Sequence, residues 1–357
     1  MNYREITLRE AIHFKNGKKR PTSEGNIPVY GGNGVLGYAG ESNYEHCIII
    51  GRVGAYCGSV YLEEGKCWVS DNAIAAVPSG DNDTKFFYYL LKGLHLNERH
   101  IGTSQPLLTQ EILNKINCEV PSYPDQQRIA ELLSSLDRKI NVNRKLNDNL
   151  AGLLQTIYQE RFSNDILAVN QGVLSDICSY SRDKVAVSEL NVSTYFSTEN
   201  MLSGKAGSTE ATSLPTTSQT TACHKGDTLI SNIRPYFKKI VYCEDNCGCS
   251  TDVLCFTPSQ PRYSTYLFST LYADKFFAFM VAGSKGTKMP RGDKQQIMTY
   301  PVVLPSEEEL ARFNTIASPL LEQIYSNRAE NKRLSILRDT LLPKLMSGEI
   351  DVSAVQL

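Results

Sequence analysis

Cysteine and histidine are the side chains of this sequence with the chemistry for nucleophilic attack or metal binding. They are neighbours in His46-Cys47 and Cys223-His224, but adjacent residues of a strand point to opposite faces and cannot form a catalytic dyad. Four more thiols lie close together in the sequence, at Cys243, Cys247, Cys249 and Cys255. Their spacing is not that of zinc fingers or ribbons, and a core that uses cysteine as a small apolar residue explains them as well. We therefore expect ten free, buried thiols and no metal site.

Motifs that would indicate an enzyme are absent from the sequence. It contains no NPP[YF] or DPPY element for methyl transfer to an amino group, and no GxxxxGK[ST], HExxH or GxSxG. We therefore expect no catalytic residue and no cofactor. The enzymatic alternative is a Cys-dependent hydrolase or transferase with a helical dimerisation arm, which would require a cysteine and a histidine to converge in space.

Lysine, arginine and tyrosine form a second set, with the chemistry to hold phosphates and read base edges. The segment GSKGTKMPRGDKQQ, residues 283–296, combines cations with a flexible backbone, which suits phosphate contact. Other members precede a glycine-rich segment or end β-type runs, where they could project towards bases. The expected contacts are Lys15, Lys18, Lys19, Arg20, Arg52, Tyr56, Arg234, Tyr236, Lys238, Lys285, Lys288 and Arg291. For each of them a solvated surface residue is the alternative.

Composition limits the class of protein. The formal net charge is −1, which argues against a generic basic nucleic-acid coat but not against local basic patches. A chain of 357 residues exceeds the usual size of one domain, and 41% hydrophobic and 21% charged residues are ordinary for a globular protein. The first residues lack the apolar segment of a signal peptide, and no run approaches the ~18 apolar residues of a membrane helix. We expect a cytoplasmic protein without membrane contact.

The elements that would position these side chains occur twice along the chain. The chain matches itself at two offsets along the sequence. The longer offset places Asn147 on Asn331 and Leu150 on Leu334. Earlier in each half, a slightly shorter offset gives the better matches, which are Gly102 on Gly283, Val60-Tyr61 on Val241-Tyr242 and Ser70-Asp71 on Thr251-Asp252. Because the matches keep a common order, they predict an internal duplication.

Each copy is predicted to consist of a β-rich globule and a long helix. Runs such as CIIIG and DVLCFTP are separated by turn residues, and helical stretches follow at 85–94 and 264–282. The predicted fold class is α+β, with two mixed α/β domains separated by two long helices that form an antiparallel coiled coil, and with an internal pseudo-two-fold repeat. The predicted segments are 1–123 and 163–304 for the globules, 124–162 for the central helix, and 305–357 for the second helix and tail.

Heptad spacing predicts that the two helices pair. Apolar or Asn residues recur in steps of four and three from 129 to 157 and from 313 to 334, as along the seam of a coiled coil. The pairs expected in one antiparallel register are Asn143 with Asn331, Asn147 with Asn327, Ile140 with Leu334 and Leu150 with Ile324. Buried Asn pairs cost stability but fix alignment. The alternatives are helices that pack only on their own globules, and Asn residues that face water. Pro343 is expected to bend or end the second helix.

Four segments of the sequence, together with the repeated order of globule and long helix, resemble a known family. They are IGTSQPLLTQEIL, VPSYPDQQRIAELLSSLDRKI, GTKMPRGDKQQIMTYPVVLPSEEELARF and the closing LRDTLLPKLMSGEI. With two globules and two helices in this order, the chain resembles the specificity (S) subunit of Type I restriction-modification systems. DNA suits such a plan on physical grounds too, since half-sites repeat along the duplex at a fixed spacing.

The resemblance implies two target recognition domains that each read one half of a split site in double-stranded DNA. It implies two methyltransferase (modification) subunits docked on the helices, restriction/translocase subunits as further partners, and no catalysis by this chain. It adds Ser104 and Gln105 to the expected DNA contacts. The segment 283–294 departs from Gly102-Thr103-Ser104-Gln105-Pro106 beyond its start, so the equivalence of the two loops stays open. A coiled-coil adaptor between proteins, without a DNA role, is the other non-enzymatic alternative.

Overall fold

The computed structural model describes residues 1–102, 105–162 and 170–354. It divides into two compact units, the first formed by Met1–Val142 and Glu330–Leu357 and the second by Asn143–Ala329. Each long helix is therefore shared between the units, whereas the predicted segments keep each helix separate. The reason is that helix side chains complete the core of each unit.

The first unit is built on a mixed sheet with the order β2-β7-β5-β6-β3-β4 and a small antiparallel sheet β1-β8. Its strands are β1 Arg4–Thr7, β2 Ile12–Asn16, β3 Ile27–Gly31, β4 Gly34–Ala39, β5 Tyr44–Gly51, β6 Val60–Val69, β7 Ala73–Pro78 and β8 Asn117–Val120. Its helices are α1 Leu8–Ala11, α2 Thr84–Gly93, α3 Gln110–Asn114 and the first half of α4 Tyr123–Phe162. The run CIIIG forms the central strand β5 because its side chains are buried on both faces of the sheet.

Parts of both long helices complete the core of the first unit. Ile129 and Leu133 of α4 are fully buried in it, together with Leu345 near the end of the second long helix. That helix, Glu307–Met346, continues through Pro343, and the backbone N–H of Ser347 donates to the carbonyl of Pro343 at 3.0 Å. Of the two expected effects of this proline, an end of the helix is wrong, and a bend stays a prediction. A proline this close to the end of a helix removes one hydrogen bond, and the buried leucine keeps the last turn in place.

The second unit contains a sheet of order β10-β17-β14-β15, a sheet β11-β13-β16-β12 and the pair β18-β9. Its strands are β9 Gln171–Val173, β10 Cys178–Tyr180, β11 Lys184–Ala186, β12 Tyr195–Phe196, β13 Gln219–Cys223, β14 Thr228–Ser231, β15 Ile240–Tyr242, β16 Cys247–Cys249, β17 Val253–Pro258 and β18 Pro301–Val303. Its helices are the second half of α4, α5 Ser264–Tyr272, α6 Asp274–Ala282, α7 Lys294–Met298 and the first half of α8 Glu307–Met346. The predicted helical stretch 264–282 is two helices, because Ala273 adopts an extended backbone with ψ 142°.

Four strands of each unit share an order and a register, β2-β7-β5-β6 in the first unit and β10-β17-β14-β15 in the second. Ile50 pairs with Val60 on one side and with Ile74 on the other. Ile230 pairs with Ile240 and Leu254 in the same way, so Ile50 is equivalent to Ile230 and Val60 to Ile240. The expected shorter offset, which places Val60 on Val241 and Ser70 on Thr251, is therefore wrong by one position.

Burial explains this difference in register. A shift by one position turns every side chain to the opposite face of a strand, so the buried faces and not a matching Val-Tyr pair set the alignment. The long helices α4 and α8 both have 40 residues. They begin at Tyr123 and Glu307, which are related by the longer offset that places Asn147 on Asn331.

Candidate nucleic-acid interface

In the first unit, a turn and a loop meet at the end of the central strand β5. We call residues 51–59 the first turn and residues 101–107 the first loop. The N–H of Gly54 donates to the carbonyl of Pro106 at 3.0 Å, and the N–H of Leu108 donates to the carbonyl of Arg52 at 2.9 Å. The ends of the first loop are closed by two backbone hydrogen bonds between Ile101 and Leu107. Ser104 lies outside the described residues, so its expected contact stays a prediction.

In the second unit, the same arrangement of a turn, a loop and the backbone hydrogen bonds that join them occurs at the end of β14. We call this arrangement the frame. Here residues 231–239 form the second turn and residues 285–291 the second loop. The N–H of Arg234 donates to the carbonyl of Pro290 at 2.8 Å, and the N–H of Gly292 donates to the carbonyl of Asn232 at 3.3 Å. Two backbone bonds between Lys285 and Arg291 close the second loop. Each of these bonds has its counterpart in the first unit.

This frame answers the question that the sequence left open about the two loops. Gly102 corresponds to Gly286, not to Gly283 as expected, so GTSQP in the first loop matches GTKMP in the second. Both glycines have a left-handed backbone, with φ of +84° and +102°. A Cβ on Gly102 would lie 2.7 Å from the carbonyl oxygen of Gln105, so the tight loop requires glycine there. The described parts of the two loops therefore share one backbone arrangement and differ in side chains.

The expected aromatic contacts occupy equivalent, solvent-facing positions. Tyr56 in the first turn is 57% exposed, and its counterpart Tyr236 in the second turn is 51% exposed. Gln105 on the first loop and Lys288 on the second loop are exposed too. Exposed tyrosines of this size are available to stack on or contact a ligand, because neither is needed to fill a core.

Cations on the second unit are partly balanced by carboxylates. Lys238 Nζ lies 2.8 Å from Asp274 Oδ1, which Lys205 Nζ contacts at the same distance. The two ammonium groups lower the pKa of Asp274 to about 2. Two further ion pairs, both at the surface, join Lys285 to Asp293 at 2.6 Å and Arg291 to Asp252 at 3.0 Å. Surface ion pairs contribute little, so a phosphate can compete for these cations.

The amino-terminal cations of the first unit lie along another part of its sheet. Lys15 is exposed on the edge strand β2. The carbonyl of Lys18 accepts a hydrogen bond at 3.2 Å from Nε1 of Trp68 on β6, and Arg20 donates to the carbonyl of Tyr38 on β4 at 3.5 Å. Lys19 is exposed between them. The structure thus places Lys18 beside β6, Arg20 beside β4 and Lys15 on the opposite edge strand β2. Arg52, Tyr56 and Gln105 lie at the first turn and first loop.

The cysteines are buried and free, as expected. Sγ of Cys47 lies 3.6 Å from Sγ of Cys67, and Sγ of Cys247 lies 3.5 Å from Sγ of Cys243. Burial raises the pKa of Cys118 to about 11. Within the described ranges, no group of three or more His, Cys, Asp or Glu side chains has an arrangement that could hold a metal ion. A catalytic thiol must reach its substrate, so the burial of all ten argues against the Cys-dependent alternative.

Within the second unit, α4 and α8 contact each other through one of the expected Asn pairs. Nδ2 of Asn327 donates to Oδ1 of Asn147 at 2.8 Å, and both residues are at most 8% exposed. The rings of Phe162 and Phe313 meet further along, with centroids 5.3 Å apart. Because the residue number rises along α4 while it falls along α8, these helix segments are antiparallel. Asn143 is buried, and Leu150 packs on the cluster that contains Ile324.

Within the first unit, the remaining helix segments contact each other as well. Nδ2 of Asn331 donates to the carbonyl of Ile140 at 3.3 Å, and Nη1 of Arg338 lies 2.6 Å from Oδ1 of Asp137. These segments are antiparallel too. Leu334 is half-buried. The pairs of Asn143 with Asn331 and of Ile140 with Leu334 stay predictions.

Sequence reasoning missed two contacts, one at this interface and one among the helices of the first unit. It did not single out Lys205, whose ammonium shares Asp274 with Lys238 although the two lysines are distant in the chain. It also did not recognise that Asp137 accepts from the hydroxyl of Tyr89 at 2.6 Å while pairing with Arg338. Neither contact leaves a signal in sequence spacing, because each joins segments that lie far apart along the sequence.

Comparison with known proteins gives matches over both halves. The family model of the Type I restriction modification DNA specificity domain matches residues 2–151. The specificity subunit of the Type I restriction enzyme EcoprrI from Escherichia coli is 31% identical over 116 residues, which span 32% of this chain and 29% of that relative. The specificity subunit of the enzyme MjaIX from Methanocaldococcus jannaschii is 23% identical over 77% of this chain and 71% of its own length.

A solved structure extends the likeness to the fold. The S subunit of a Type I restriction-modification system from M. genitalium matches with a TM-score of 0.60 at 19% identity, over 97% of this chain and 96% of that chain. The resemblance inferred from the sequence motifs is thereby confirmed. Among the described residues, none of the helices is long and apolar enough to cross a membrane.

Proposed function

We propose that this chain, a relative of the specificity subunits of Type I restriction-modification systems, is a non-catalytic subunit that recognises a DNA site in two parts. One observation carries the proposal. The two units repeat one backbone frame of turn and loop, yet the frame presents different side chains in each unit. Equivalent frames suit equivalent approaches to a duplex, and different side chains at base edges read different sequences.

The two long helices suit the role of a spacer. Each has 40 residues, or roughly 60 Å at 1.5 Å per residue. In the proposed assembly they form an antiparallel coiled coil related by a pseudo-two-fold axis, and the Asn pairs at its seam fix the distance between the half-sites. Such a rod spans about one to two turns of the DNA duplex.

The helices also offer surface for protein partners. Leu146 and Leu153 are exposed one heptad apart on α4, which places both on one face of the helix. We assign this face to two methyltransferase subunits, with restriction/translocase subunits joining the complex. A net charge of −1 favours weak DNA binding by the chain alone, so the methyltransferase subunits would supply part of the attraction for DNA.

A methylation map tests the proposal. The chain is produced with its methyltransferase subunits in cells that lack other modification systems, and methylated sites are sequenced. We expect a split motif with two different halves. Exchanging residues 12–116 for the matching segment of another specificity subunit should change one half and retain the other.

The exchange is chosen to leave β1, β8 and both long helices in place. The helices must stay because Ile129, Leu133 and Leu345 belong to the core of the first unit. The matched control exchanges the second-unit segment 178–300 and should change the other half. A change of both halves by either exchange, or of neither half, contradicts the modular reading. Site-selective methylation without this chain contradicts the proposal as a whole.

A further inference from the structure

We propose that Arg234 and Lys238 of the second turn are a pair of phosphate contacts that the first turn lacks at the equivalent positions, so that the second turn holds the DNA backbone more strongly than the first turn. This inference rests on the proposed function and deepens it. It assigns to these two side chains a role in affinity rather than in base reading. The two turns would then contribute unequally to the affinity for DNA.

The backbone at these positions is the first observation. Arg234 and Lys238 have left-handed conformations with φ of +50° and +51°. Their counterparts in the first turn are Gly54 and Gly58, with φ of +72° and +85°. The correspondence follows from matched backbone hydrogen bonds. The N–H of Gly51 donates to the carbonyl of Ser59, as the N–H of Ser231 does to the carbonyl of Lys239. The N–H of Cys57 donates to the carbonyl of Gly54, as the N–H of Phe237 does to the carbonyl of Arg234.

Glycine adopts a left-handed backbone freely, whereas a residue with a Cβ is strained there. The first unit shows that glycine serves this frame at both positions. The second turn therefore has two long cationic side chains where the backbone favours none. Strain of this kind persists where the side chain serves a purpose, and it concentrates at binding sites.

Space explains why only one unit can carry both cations. A Cβ added to Gly58 would lie 2.2 Å from the backbone nitrogen of Asn97, so the first turn excludes a side chain there. Gly54 is different, because no heavy atom lies within 4 Å of an added Cβ. At these two left-handed positions the first turn thus has room for one cation and has none, while the second turn has two.

The charges around the second turn favour an anionic ligand. Lys205 and Lys238 share the single carboxylate of Asp274, whose side chain is 70% exposed. Two cations against one carboxylate leave a net positive charge, and an exposed ion pair yields readily to a phosphate. In the part of the chain that the structure describes, Arg234 has no ion-pair partner. Exposed Tyr236 lies between Arg234 and Lys238, so a duplex seated on this tyrosine would bring its phosphates to both cations.

Salt-dependent binding tests the inference on the complete complex with methyltransferase subunits. The duplex carries the mapped motif, and affinity is measured by fluorescence anisotropy over a series of salt concentrations. Arg234→Gly and Lys238→Gly should each weaken binding severalfold. Each should also make the negative slope of log K against log [salt] shallower by about 0.9. The methylation motif should not change. Lys225→Ala removes an exposed lysine elsewhere on the same unit and should leave the slope as it is.

A stability comparison separates a binding role from a structural one. Arg234→Ala loses the charge but keeps the strained backbone, whereas Arg234→Gly loses both. We expect equal losses of DNA affinity and a melting temperature about 2–4 °C higher for the glycine variant. Gly54→Arg should add a contact to the first turn and increase the salt slope by about 0.9.

Two outcomes overturn the inference in different ways. If the wild-type complex binds its motif and the glycine variants keep its salt slope, Arg234 and Lys238 are structural and the proposed function stands. If the wild-type complex shows no preference for the mapped motif over a scrambled duplex, the proposed function fails and the inference fails with it.

Discussion

The turn and loop at the end of the central strand can be compared between the two units almost atom by atom. Both use the same backbone hydrogen bonds, and both place a tyrosine two positions after the residue that bonds the loop proline. The first turn has glycines at its left-handed positions, and the second turn has Arg234 and Lys238. A shared backbone frame therefore fixes where side chains are presented, and the side chains are free to differ. This division is what the proposed recognition of two different half-sites requires.

The largest effect should come from a substitution of Gly58, the position at which the first turn excludes a side chain. Gly58→Ala introduces a Cβ 2.2 Å from the nitrogen of Asn97 in a left-handed conformation, so we expect a loss of more than about 3 kcal/mol in the free energy of unfolding. Gly54→Ala, the matched control with open space, should cost about 1–2 kcal/mol. Fluorescence of Trp68, the single tryptophan, follows denaturation of the first unit. Equal losses for the two variants would refute the steric account of the first turn.

A second comparison concerns the two Asn contacts of the helices. Asn327 donates to Asn147 at 2.8 Å in a buried seam, whereas Asn331 donates to the carbonyl of Ile140 at 3.3 Å and is less buried. Asn327→Ala leaves Asn147 with an unsatisfied buried amide and should cost about 1–3 kcal/mol, and Asn331→Ala about 0.5–1.5 kcal/mol. Calorimetric melting of the full chain measures both changes.

The double variant Asn147→Leu/Asn327→Leu completes this test. Replacing both partners by apolar residues removes the unsatisfied group, so it should recover most of the stability lost in Asn327→Ala. Retained stability together with methylation at altered spacings would assign the Asn pair to alignment. A double variant less stable than Asn327→Ala would instead mean that the pair cannot be replaced by apolar packing.

The smallest effect should be the pH dependence of the carboxylate that balances the second turn. Lys205 and Lys238 lower the pKa of Asp274 to about 2 from the ordinary value of 3.8. A lowered pKa means that the ion pairs stabilise the folded chain fully above about pH 4 and that this contribution is lost as the pH falls through about 2. Because Asp274 is exposed, the contribution should remain below about 1 kcal/mol. Melting of the wild type and Asp274→Asn between pH 7 and pH 2 should converge at the acid end; a constant difference would contradict the assignment.

Several parts of the fold could be predicted from local patterns. CIIIG forms a buried central strand, and the two helices have equal length at the longer offset that Asn147 and Asn331 suggest. The shorter offset was wrong because it relied on matching Val-Tyr letters, while strand register depends on which face is buried. The break at Ala273 was missed, since the stretch 264–282 contains no Gly or Pro, the residues that most strongly mark the end of a helix.

The candidate interface divides in the same way. Residue type and spacing were enough to single out Tyr56, Tyr236 and the cations of 285–291 as expected contacts, which stay predictions, because charge and flexible backbone are local properties of a sequence. The equivalence of GTSQP with GTKMP, the sharing of Asp274 by Lys205 and Lys238, and the left-handed backbone of Arg234 were decided by tertiary structure alone. The physical reason is that a backbone hydrogen bond between distant segments leaves no trace in side-chain identity, and a strained φ angle exists only once the surrounding chain holds it in place.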